Sequence, residues 1–212
     1  MPINEHTRWN ANYAGEKYFY GDDAGTVARR AVRYHRPMYG GDALPSALDL
    51  GCGEGQDLAY LAESGYRATG MDFAENAIRK AQRLLAMRGL AAATQQVNLL
   101  QWQSDQQYDL VLACNSLQFL GEDAPAVIAR ARDAVVTGGV IGLSLFGCDE
   151  NEIVQDGIYF TSLEKLMTRF HESAWQMLET AKLWQWNRAS NTPRLFVTLI
   201  AQHVELDRRE RE

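Results

Sequence analysis

Long apolar runs and cysteine are both scarce in this sequence of 212 residues. No apolar run approaches the roughly 20 residues that a membrane-spanning helix needs. The three cysteines cannot all pair with one another, and none of them has a C-x-x-C spacing. The opening segment MPINEHTRWN lacks the basic and then apolar regions of a secretion signal. These absences favour a cytoplasmic protein with no membrane partner.

Positive charge is in deficit, because 21 Lys and Arg residues face 27 Asp and Glu residues, for a formal net charge of -6. A surface of this charge repels phosphodiester backbones, so no nucleic-acid partner is expected. The four histidines have no metal-ligand spacing. Cys52, Cys114 and Cys148 each follow a predicted strand, yet free cysteine is more often a small buried hydrophobe than a metal ligand. No metal site is therefore predicted.

No internal repeat, low-complexity tract or Pro/Ser-rich linker divides the chain, which predicts a single domain over residues 1–212. The first part is aromatic and polar without a clean period, and Val27–Tyr39 then has the pattern of a helix that ends at Gly40-Gly41. The predicted segments are an amino-terminal lid (1–24), a leading helix (25–41), the core sheet and helices (46–204) and a charged tail (205–212).

A regular alternation of short apolar runs and helix-spaced segments begins at Ser46. The runs are bounded by Gly or Asp, as buried strands are, and the third intervening helix is expected to extend from Ala126 to Val135. A further helix is predicted over Ser162–Phe170, followed by two long runs around a turn at Asn191-Thr192-Pro193. The predicted strands are Ala47–Leu50, Arg67–Met71, Thr94–Val97, Tyr108–Ala113, Val140–Phe146, Gln176–Arg188 and Arg194–Val204.

This order of elements predicts the fold class. Strands separated by helices of this length form right-handed βαβ units, which bury a parallel sheet between two helical layers. The last two strands are joined so tightly that they must be antiparallel. We therefore expect an α/β fold with a doubly wound, Rossmann-like sheet of seven strands, mostly parallel with an antiparallel last strand and with helices on both faces.

The most informative stretch is LDLGCGEG, in which an apolar strand leads directly into Gly51, Gly53 and Gly55 and then a helix. Alternating glycines let a ligand lie against peptide N–H groups without a Cβ in the way, although a tight turn explains a lone triplet equally well. Asp72 follows the next strand, where a carboxylate can bind ribose hydroxyls or cap a helix that begins at Phe73. Asn98 ends the third strand, either as an acceptor for an adenine amino group or as an ordinary polar strand end.

Together, LDLGCGEG, Asp72 and the block YDLVLACNSLQFL resemble the class I S-adenosylmethionine-dependent methyltransferases from about Leu48 to Phe146. A nicotinamide enzyme is disfavoured, because its usual pattern has two residues between the second and third glycines. The resemblance implies S-adenosyl-L-methionine as cofactor and S-adenosyl-L-homocysteine as product. It implies that Asp49, Gly51, Cys52 and Gly53 surround the methionine part, Asp72 binds ribose, Phe73 packs on adenine, Asn98 and Leu99 meet the adenine edge, and Cys114 offers its main-chain carbonyl to the adenine amino group. Asn98 departs from the Asp that this family more often has there.

The acceptor class is read from missing motifs. Cys114-Asn115-Ser116-Leu117 stands where amino-methylating nucleic-acid enzymes have Asn-Pro-Pro-Tyr, and neither a Pro-Cys nucleophile nor an Asp-Asn magnesium cluster is present. These absences favour a small-molecule substrate. Trp9-Asn10-Ala11-Asn12-Tyr13 and Tyr20-Gly21 are similar to the lid of tellurite-resistance and thiopurine-type methyltransferases, which implies a soft acceptor: a thiol, a selenol or a chalcogen oxyanion. The alternatives are oxygen- or nitrogen-directed methylation of a metabolite, or a non-catalytic domain that binds the cofactor and regulates a partner.

Candidate acceptor-binding residues are those expected above the carboxyl edge of the sheet, and plain core packing is the alternative for each aromatic among them. No catalytic residue is assigned, and His6 or a tyrosine is the only conceivable base. Trp184 and Trp186 share one strand face, which is typical of a core or of an interface, so the chain is expected to be a monomer or a homodimer. The candidate acceptor-binding residues are Trp9, Tyr13, Tyr18, Tyr20, Asn115, Gln118, Phe146 and Arg188.

Overall fold

A computed structural model describes residues 5–36, 43–104, 106–170, 174–187 and 191–205, with side chains from residue 7 onward. Its helices are α1 (Glu5–Asn12), α2 (Thr26–His35), α3 (Gln56–Glu63), α4 (Glu75–Arg88), α5 (Ala124–Asp133), α6 (Leu163–Thr168) and a 3₁₀ helix (Leu117–Asp123). Its strands are β1 (Ser46–Leu50), β2 (Arg67–Asp72), β3 (Ala93–Gln96), β4 (Tyr108–Cys114), β5 (Val135–Phe146), β6 (Ile153–Gln155), β7 (Ile158–Phe160), β8 (Trp175–Asn187) and β9 (Thr192–His203).

Seven strands form one sheet in the order β3-β2-β1-β4-β5-β9-β8. The first five strands in this order are parallel to one another, and β9 is antiparallel to both β5 and β8. The order reverses between β1 and β4, and the crevice at such a switch point is where ligands bind in open α/β sheets. The prediction of a doubly wound, mostly parallel seven-stranded sheet with an antiparallel last strand is confirmed.

Two cores lie on opposite faces of the sheet because side chains alternate along each strand. Leu110 and Leu112 of β4 pack into the core that contains α2, α3 and α4. Val111 and Ala113 of the same strand pack into the core that contains α5, α6 and the 3₁₀ helix. Both faces of β4 are therefore buried, and its carboxyl end is held rigidly at the centre of the site described below.

The expectation of an irregular amino-terminal segment is wrong at Glu5–Asn12, which form α1. The apolar face of this helix is short, since it consists mainly of Trp9 with Tyr13 one turn later. Both side chains are buried against Phe119 and the start of α4. A helix this short depends on tertiary packing, which a periodicity count along the chain does not register.

Three further boundaries differ from the prediction. Val135 begins β5 opposite Tyr108 and does not end the preceding helix, in keeping with the strand preference of consecutive valines. The short hairpin β6–β7 was not predicted, although Asp156-Gly157 at its turn has two positive φ angles, as a type I′ turn requires. Thr192 and Pro193 are not turn residues but belong to β9, where they pair with Asn187 and Trp186.

Trp184 and Trp186 of β8 are 72% and 62% exposed, so the alternative that places them in the core is wrong. They lie on an edge strand, where one sheet face is open to solvent near its end. Within the described ranges, no helix combines the length and the apolar character needed to cross a membrane. Arg188, the end of the predicted leading helix at Tyr39 and residues 206–212 of the predicted tail lie outside the described residues.

Candidate functional site

The turn after β1 requires glycine at three positions. Gly51, Gly53 and Gly55 have φ angles of +73°, +52° and +89°, a region that side chains rarely adopt. A Cβ on Gly51 would also lie 2.3 Å from the Cβ of Ser116, and a Cβ on Gly55 would lie 2.7 Å from that of Ala81. Only a chain without side chains at these positions can pass between β4 and α4, so the predicted glycine loop is a close-approach turn.

Asp72 closes the same loop from the end of β2. Its Oδ2 accepts the N–H of Gly53 at 2.9 Å, and its Oδ1 accepts the N–H of Ala74 at 2.9 Å. Burial raises the pKa of Asp72, and these backbone donors oppose the rise. The carboxylate therefore caps the approach to α4, and since each oxygen can accept a second hydrogen bond, it retains capacity for a ligand hydroxyl.

Two cavities open at the carboxyl edge of the sheet, and each is named here after one of its carboxylates. The Asp72 cavity has a volume of about 640 Å³ and lies over the ends of β2, β3 and β4. The Asp57 cavity has a volume of about 380 Å³ and extends from the glycine loop past α2 to β8. Four residues line both cavities: Trp9, Tyr13, Gly51 and Asn115.

Helix α1 covers the junction of the two cavities. The ring of Trp9 stacks on Tyr13 at 5.7 Å between centroids and meets Phe119 edge-on at 4.7 Å. Asn10 fastens the helix to α4, because its Oδ1 accepts the N–H of Asn76 at 2.9 Å and its carbonyl accepts the Asn76 amide at 2.8 Å. The segment that the sequence identified as a lid thus forms an aromatic roof over the site.

Residues 17–25, which we call the strap, connect α1 to α2 and follow the glycine loop. Glu54 accepts the N–H of Phe19 at 2.7 Å, and Lys80 donates to the carbonyl of Lys17 at 2.7 Å. The strap also donates the N–H of Gly25 to Oδ1 of Asp57 at 2.7 Å. Its position is therefore set by side chains of the glycine loop, α3 and α4.

The Asp57 cavity contains acidic groups and thiols close together. Burial raises the pKa of Asp49 well above its usual range, with the charges of Asp57 and Asp72 as further causes. Oδ2 of Asp49 is buried and has no hydrogen-bond partner among the described residues. Burial also raises the pKa of Asp57, and hydrogen bonds from the Gly25 N–H and the Cys114 thiol to this carboxylate oppose the rise. A cationic group of a ligand would find a ready partner here.

The tyrosines and thiols of the site stay protonated at neutral pH. Burial raises the pKa of Tyr13 well above its usual value and raises that of Tyr20 to about 12. Burial and the neighbouring carboxylates raise the pKa of Cys52 and of Cys114 in the same way. None of these four side chains is therefore an effective base or nucleophile in this environment.

Most of the predicted site residues come together at this edge. Phe73, Asn98 and Leu99 line the Asp72 cavity with Asp72 itself. Asp49, Cys52, Gly53, Tyr20 and Cys114 line the Asp57 cavity, so Cys114 lies at the opposite end of the site from the other predicted adenine contacts. Oδ1 of Asn98 accepts the N–H of Leu100 at 3.0 Å. This local turn sets the orientation of the Asn98 side-chain amide.

Three predicted acceptor-binding residues line neither cavity. Tyr18 donates to the Lys80 carbonyl at 3.4 Å and packs against the strap side of α4. Phe146 is buried in an aromatic cluster with Phe160 and Phe196. Gln118 is fully buried in the 3₁₀ helix, and its amide atoms have no partner among the described residues. Tyr18 belongs to the aromatic segment, Phe146 ends β5 and Gln118 lies in the 3₁₀ helix after β4, but none of the three lines either cavity.

Sequence reasoning missed several residues that shape the Asp57 cavity. Glu54 belongs to the glycine loop and Asp57 to the first turn of α3. Their positions next to Gly53 and Gly55 could have predicted that they line the site. Arg30 of α2 and Glu179 of β8 form an ion pair at the far wall, and Tyr34 donates to the same carboxylate at 3.1 Å. Arg30 and Glu179 are 149 positions apart in the sequence, and no local sequence pattern predicts their contact.

Comparison with known proteins agrees with this geometry. Residues 48–141 match the family described as "Methyltransferase domain". This match covers slightly less than half of the 212 residues. The matched residues include the glycine loop, Asp72, Asn98 and the end of β4, which line the two cavities together with residues outside the match.

Individual relatives are similar to this chain over part of its length. "Probable S-adenosyl-L-methionine-dependent methyltransferase TehB" of Haemophilus influenzae is 27% identical over 116 residues, which are 50% of this chain and 41% of that protein. The chain spans about half the length of the curated relatives it matches. The predicted resemblance to S-adenosylmethionine-dependent methyltransferases is therefore confirmed, and TehB is one of these relatives.

Solved structures share the fold. The crystal structure of TehB from Haemophilus influenzae has a TM-score of 0.68 at 18% identity and matches 85% of this chain and 62% of that one. The Burkholderia thailandensis 1,6-didemethyltoxoflavin-N1-methyltransferase, solved with 1,6-didemethyltoxoflavin and S-adenosylhomocysteine, has a TM-score of 0.69 at 17% identity and matches 95% and 88%. Two further neighbours of the same fold, at 17% and 22% identity, were also solved with S-adenosylhomocysteine.

Proposed function

We propose that this protein transfers a methyl group from S-adenosylmethionine to a small molecule. The observation that carries the proposal is the meeting of two cavities at Trp9, Tyr13, Gly51 and Asn115. One cofactor can extend across both cavities, with its reactive end at their junction. The volumes of about 640 Å³ and 380 Å³ are those of small-molecule sites.

The residues at the junction fit the cofactor. In the Asp72 cavity, Asp72 would accept from the ribose hydroxyls, and Phe73, Asn98 and Leu99 would adjoin the adenine. In the Asp57 cavity, the unpartnered oxygen of Asp49 would face the ammonium group of the methionine part. Gly51, Cys52 and Gly53 provide the close backbone approach, and we assign Cys114 to this end because it lines this cavity.

The protein's own contribution is positioning and exclusion of water. When bound, the cofactor would supply an activated methyl carbon for the acceptor's lone pair, with its demethylated form as the leaving group, and a thiol acceptor would release its proton to bulk water. Trp9 and Tyr13 roof the junction, so they would exclude water from the reacting atoms. Alignment of two bound reactants can supply much of the acceleration without a catalytic acid or base.

A soft acceptor fits this lining best. No histidine or lysine occurs among the described residues that line the two cavities, and the side chain of His6 lies outside the described residues. Thiols and selenols form nucleophilic anions near neutral pH without a strong base, whereas an alcohol needs one. The carboxylates of Asp49, Asp57 and Glu179 disfavour chalcogen oxyanions, which are charged when they enter, so we favour a thiol or selenol, which enters uncharged and ionises only to react.

A nitrogen atom of a heteroaromatic ring is the second candidate acceptor. The observation that favours it is the aromatic lining by Trp9, Tyr13 and Phe119, on which a flat ring could stack. The Burkholderia neighbour is an N1-methyltransferase solved with such a ring system. An uncharged ring nitrogen needs no base, which agrees with the absence of one noted above.

The test measures S-adenosylhomocysteine release from S-adenosylmethionine with 2-mercaptoethanol, benzeneselenol, sodium selenite and 4-aminoquinoline. We expect turnover with the thiol and the selenol, little with selenite, and loss of cofactor binding in Asp72→Ala by about 1.5–3 kcal/mol. Binding of S-adenosylhomocysteine without turnover on a wide acceptor panel would identify a regulatory domain. Binding of NADH in place of S-adenosylhomocysteine would overturn the cofactor assignment.

A further inference from the structure

Asn115 has an unusual backbone for a side-chain-bearing residue. It follows the last residue of β4 and has a φ angle of +56°, one of three positive φ values among the described non-glycine residues. The left-handed region costs free energy for most L-residues and is most accessible to Asn and Asp. Such a conformation persists only where the surroundings hold it, and it recurs at functional sites.

The surroundings of Asn115 hold it from two sides. Its N–H donates to the carbonyl of Ser144 on β5 at 2.9 Å, and the Ser144 hydroxyl donates to its Oδ1 at 2.8 Å. The next residue, Ser116, donates its hydroxyl to the carbonyl of Leu50 at 2.7 Å. The end of β4 is therefore tied to β1 and to β5, and the carboxamide of Asn115 has a set orientation.

One half of this carboxamide is uncommitted. Nδ2 of Asn115 has no hydrogen-bond partner among the described residues, and the side chain is exposed within the site. The residue lines both cavities, at the junction where the proposed methyl transfer takes place. An oriented N–H₂ group at this place can donate only to a lone pair on a bound molecule or on water.

We propose that Nδ2 of Asn115 donates a hydrogen bond to a neutral oxygen or nitrogen of the acceptor, next to the atom that is methylated. This inference rests on the proposed function and narrows it. It assigns the acceptor to small molecules in which a hydroxyl oxygen, a carbonyl oxygen or a pyridine-type nitrogen lies two or three bonds from the nucleophilic atom. Ser144 acts through Asn115 as a positioning residue, since its hydroxyl fixes which end of the carboxamide faces the acceptor.

Two isosteric thiols and two variants test the proposal. The probes are 2-mercaptoethanol and 1-propanethiol, which differ by one hydroxyl oxygen. The variant Asn115→Asp tolerates the positive φ and keeps an oxygen for the Ser144 hydroxyl, but it replaces the Nδ2 donor by an acceptor. The variant Asn115→Gly also tolerates the positive φ and removes the donor without adding a charge. Thermal unfolding and S-adenosylhomocysteine affinity are measured for both variants, so that the preference between the two thiols is compared only in proteins that fold and bind S-adenosylhomocysteine.

We expect the wild type to favour 2-mercaptoethanol by about tenfold in kcat/KM, and both Asn115 variants to lose this preference. Ser144→Ala should reduce the preference through KM more than through kcat. Equal turnover of both thiols by the wild type, or an unchanged preference in both variants, would overturn the inference while the proposed function stands.

A binding measurement separates the two proposals if neither thiol is methylated. The side-chain ¹⁵N–¹H signal of Asn115, assigned by its loss in Asn115→Asp, is followed in the S-adenosylhomocysteine complex during titration with each thiol. A shift with 2-mercaptoethanol and none with 1-propanethiol supports the inference and places the failure in the proposed thiol methylation. The absence of a shift with either thiol, together with the absence of turnover, overturns both.

Discussion

Glu54 and Lys80 form a buried ion pair beneath the strap, with Oε1 and Nζ 2.7 Å apart and with side chains that are 0% and 10% exposed. Each partner also binds the strap backbone. Glu54 accepts from the N–H of Phe19, and Lys80 donates to the carbonyl of Lys17. The pair therefore joins the glycine loop, α4 and the wall of the Asp57 cavity in a single contact.

Removal of the cation from this pair should destabilise the protein strongly. In Lys80→Met the Glu54 carboxylate stays buried without its counter-ion, which typically costs about 3–5 kcal/mol. Denaturant unfolding measures this loss. The double variant Glu54→Gln with Lys80→Met should recover a large part of it, because no charge is then buried. The exposed pair of Lys182 and Glu164 is the matched control, and Lys182→Met should leave stability unchanged. Equal effects of Lys80→Met and Lys182→Met would contradict the argument.

The close approach at Gly51 separates backbone strain from steric overlap. Gly51→Ala introduces both backbone strain and steric overlap, since φ is +73° and the new Cβ would lie 2.3 Å from the Cβ of Ser116. Gly138→Ala introduces backbone strain alone, since φ is +87° and no atom lies within 4 Å of the new Cβ. We expect a loss of about 1–2 kcal/mol for Gly138→Ala and about 1–3 kcal/mol more for Gly51→Ala. Only Gly51→Ala should also lose S-adenosylhomocysteine binding by calorimetry, and retention of that binding would remove Gly51 from the site.

Asp49 makes stability and cofactor binding depend on pH in opposite directions. Its folded-state pKa is raised, so its contribution to stability is present at low pH and is lost as pH rises from the ordinary value of about 3.9 through the folded-state pKa. Asp49→Asn removes this loss. The variant should unfold at higher denaturant concentration than the wild type near pH 7, with a residual slope from Asp57 and Asp72, whose pKa values are also raised.

The affinity for S-adenosylhomocysteine should depend on the ionisation of Asp49 in the opposite direction from stability. The ammonium group of S-adenosylhomocysteine prefers the ionised carboxylate, so wild-type affinity should increase over the pH range in which the unliganded protein loses stability. Asp49→Asn should bind more weakly at neutral pH and show a flatter pH profile. Calorimetric titrations at several pH values measure this, and a variant that binds as tightly as the wild type would place the ammonium elsewhere.

The aromatic roof can be removed without the strap. Deletion of residues 1–14 removes Trp9 and Tyr13 but keeps Lys17 and Phe19, which Glu54 and Lys80 bind. We expect methyl transfer to be abolished, with S-adenosylhomocysteine affinity within about tenfold, or 1.4 kcal/mol, of the full chain. Hydrogen exchange of residues 9–13 should slow when S-adenosylhomocysteine binds. Equally slow exchange with and without it would identify α1 as permanent core, and the lid hypothesis would be abandoned.

Local patterns predicted those parts of the site that local geometry determines. The glycine loop and Asp72 were predictable because a strand, a close-approach turn and a capping carboxylate leave their signals within a few residues. Phe146 and Gln118 were assigned to the site because they were expected above the carboxyl edge of the sheet, but whether each side chain reaches a cavity depends on the packing of β7, β9 and the 3₁₀ helix. The ion pair of Arg30 and Glu179 depends on the register of β8, which no nearby residue reveals.

The far wall of the Asp57 cavity is formed in part by the edge strand β8, whereas the glycine loop lies next to the centre of the sheet. Leu183 and Gln185 line it from β8, an edge strand whose outer side has no neighbouring strand in the sheet. Substitutions there alter the shape of the cavity without disturbing Gly51, Asp49 or Asp72. If the protein has the proposed function, natural drift or directed evolution can therefore explore new acceptors on this strand while the glycine loop, Asp49 and Asp72 keep their sequence, and libraries aimed at changed specificity belong on β8.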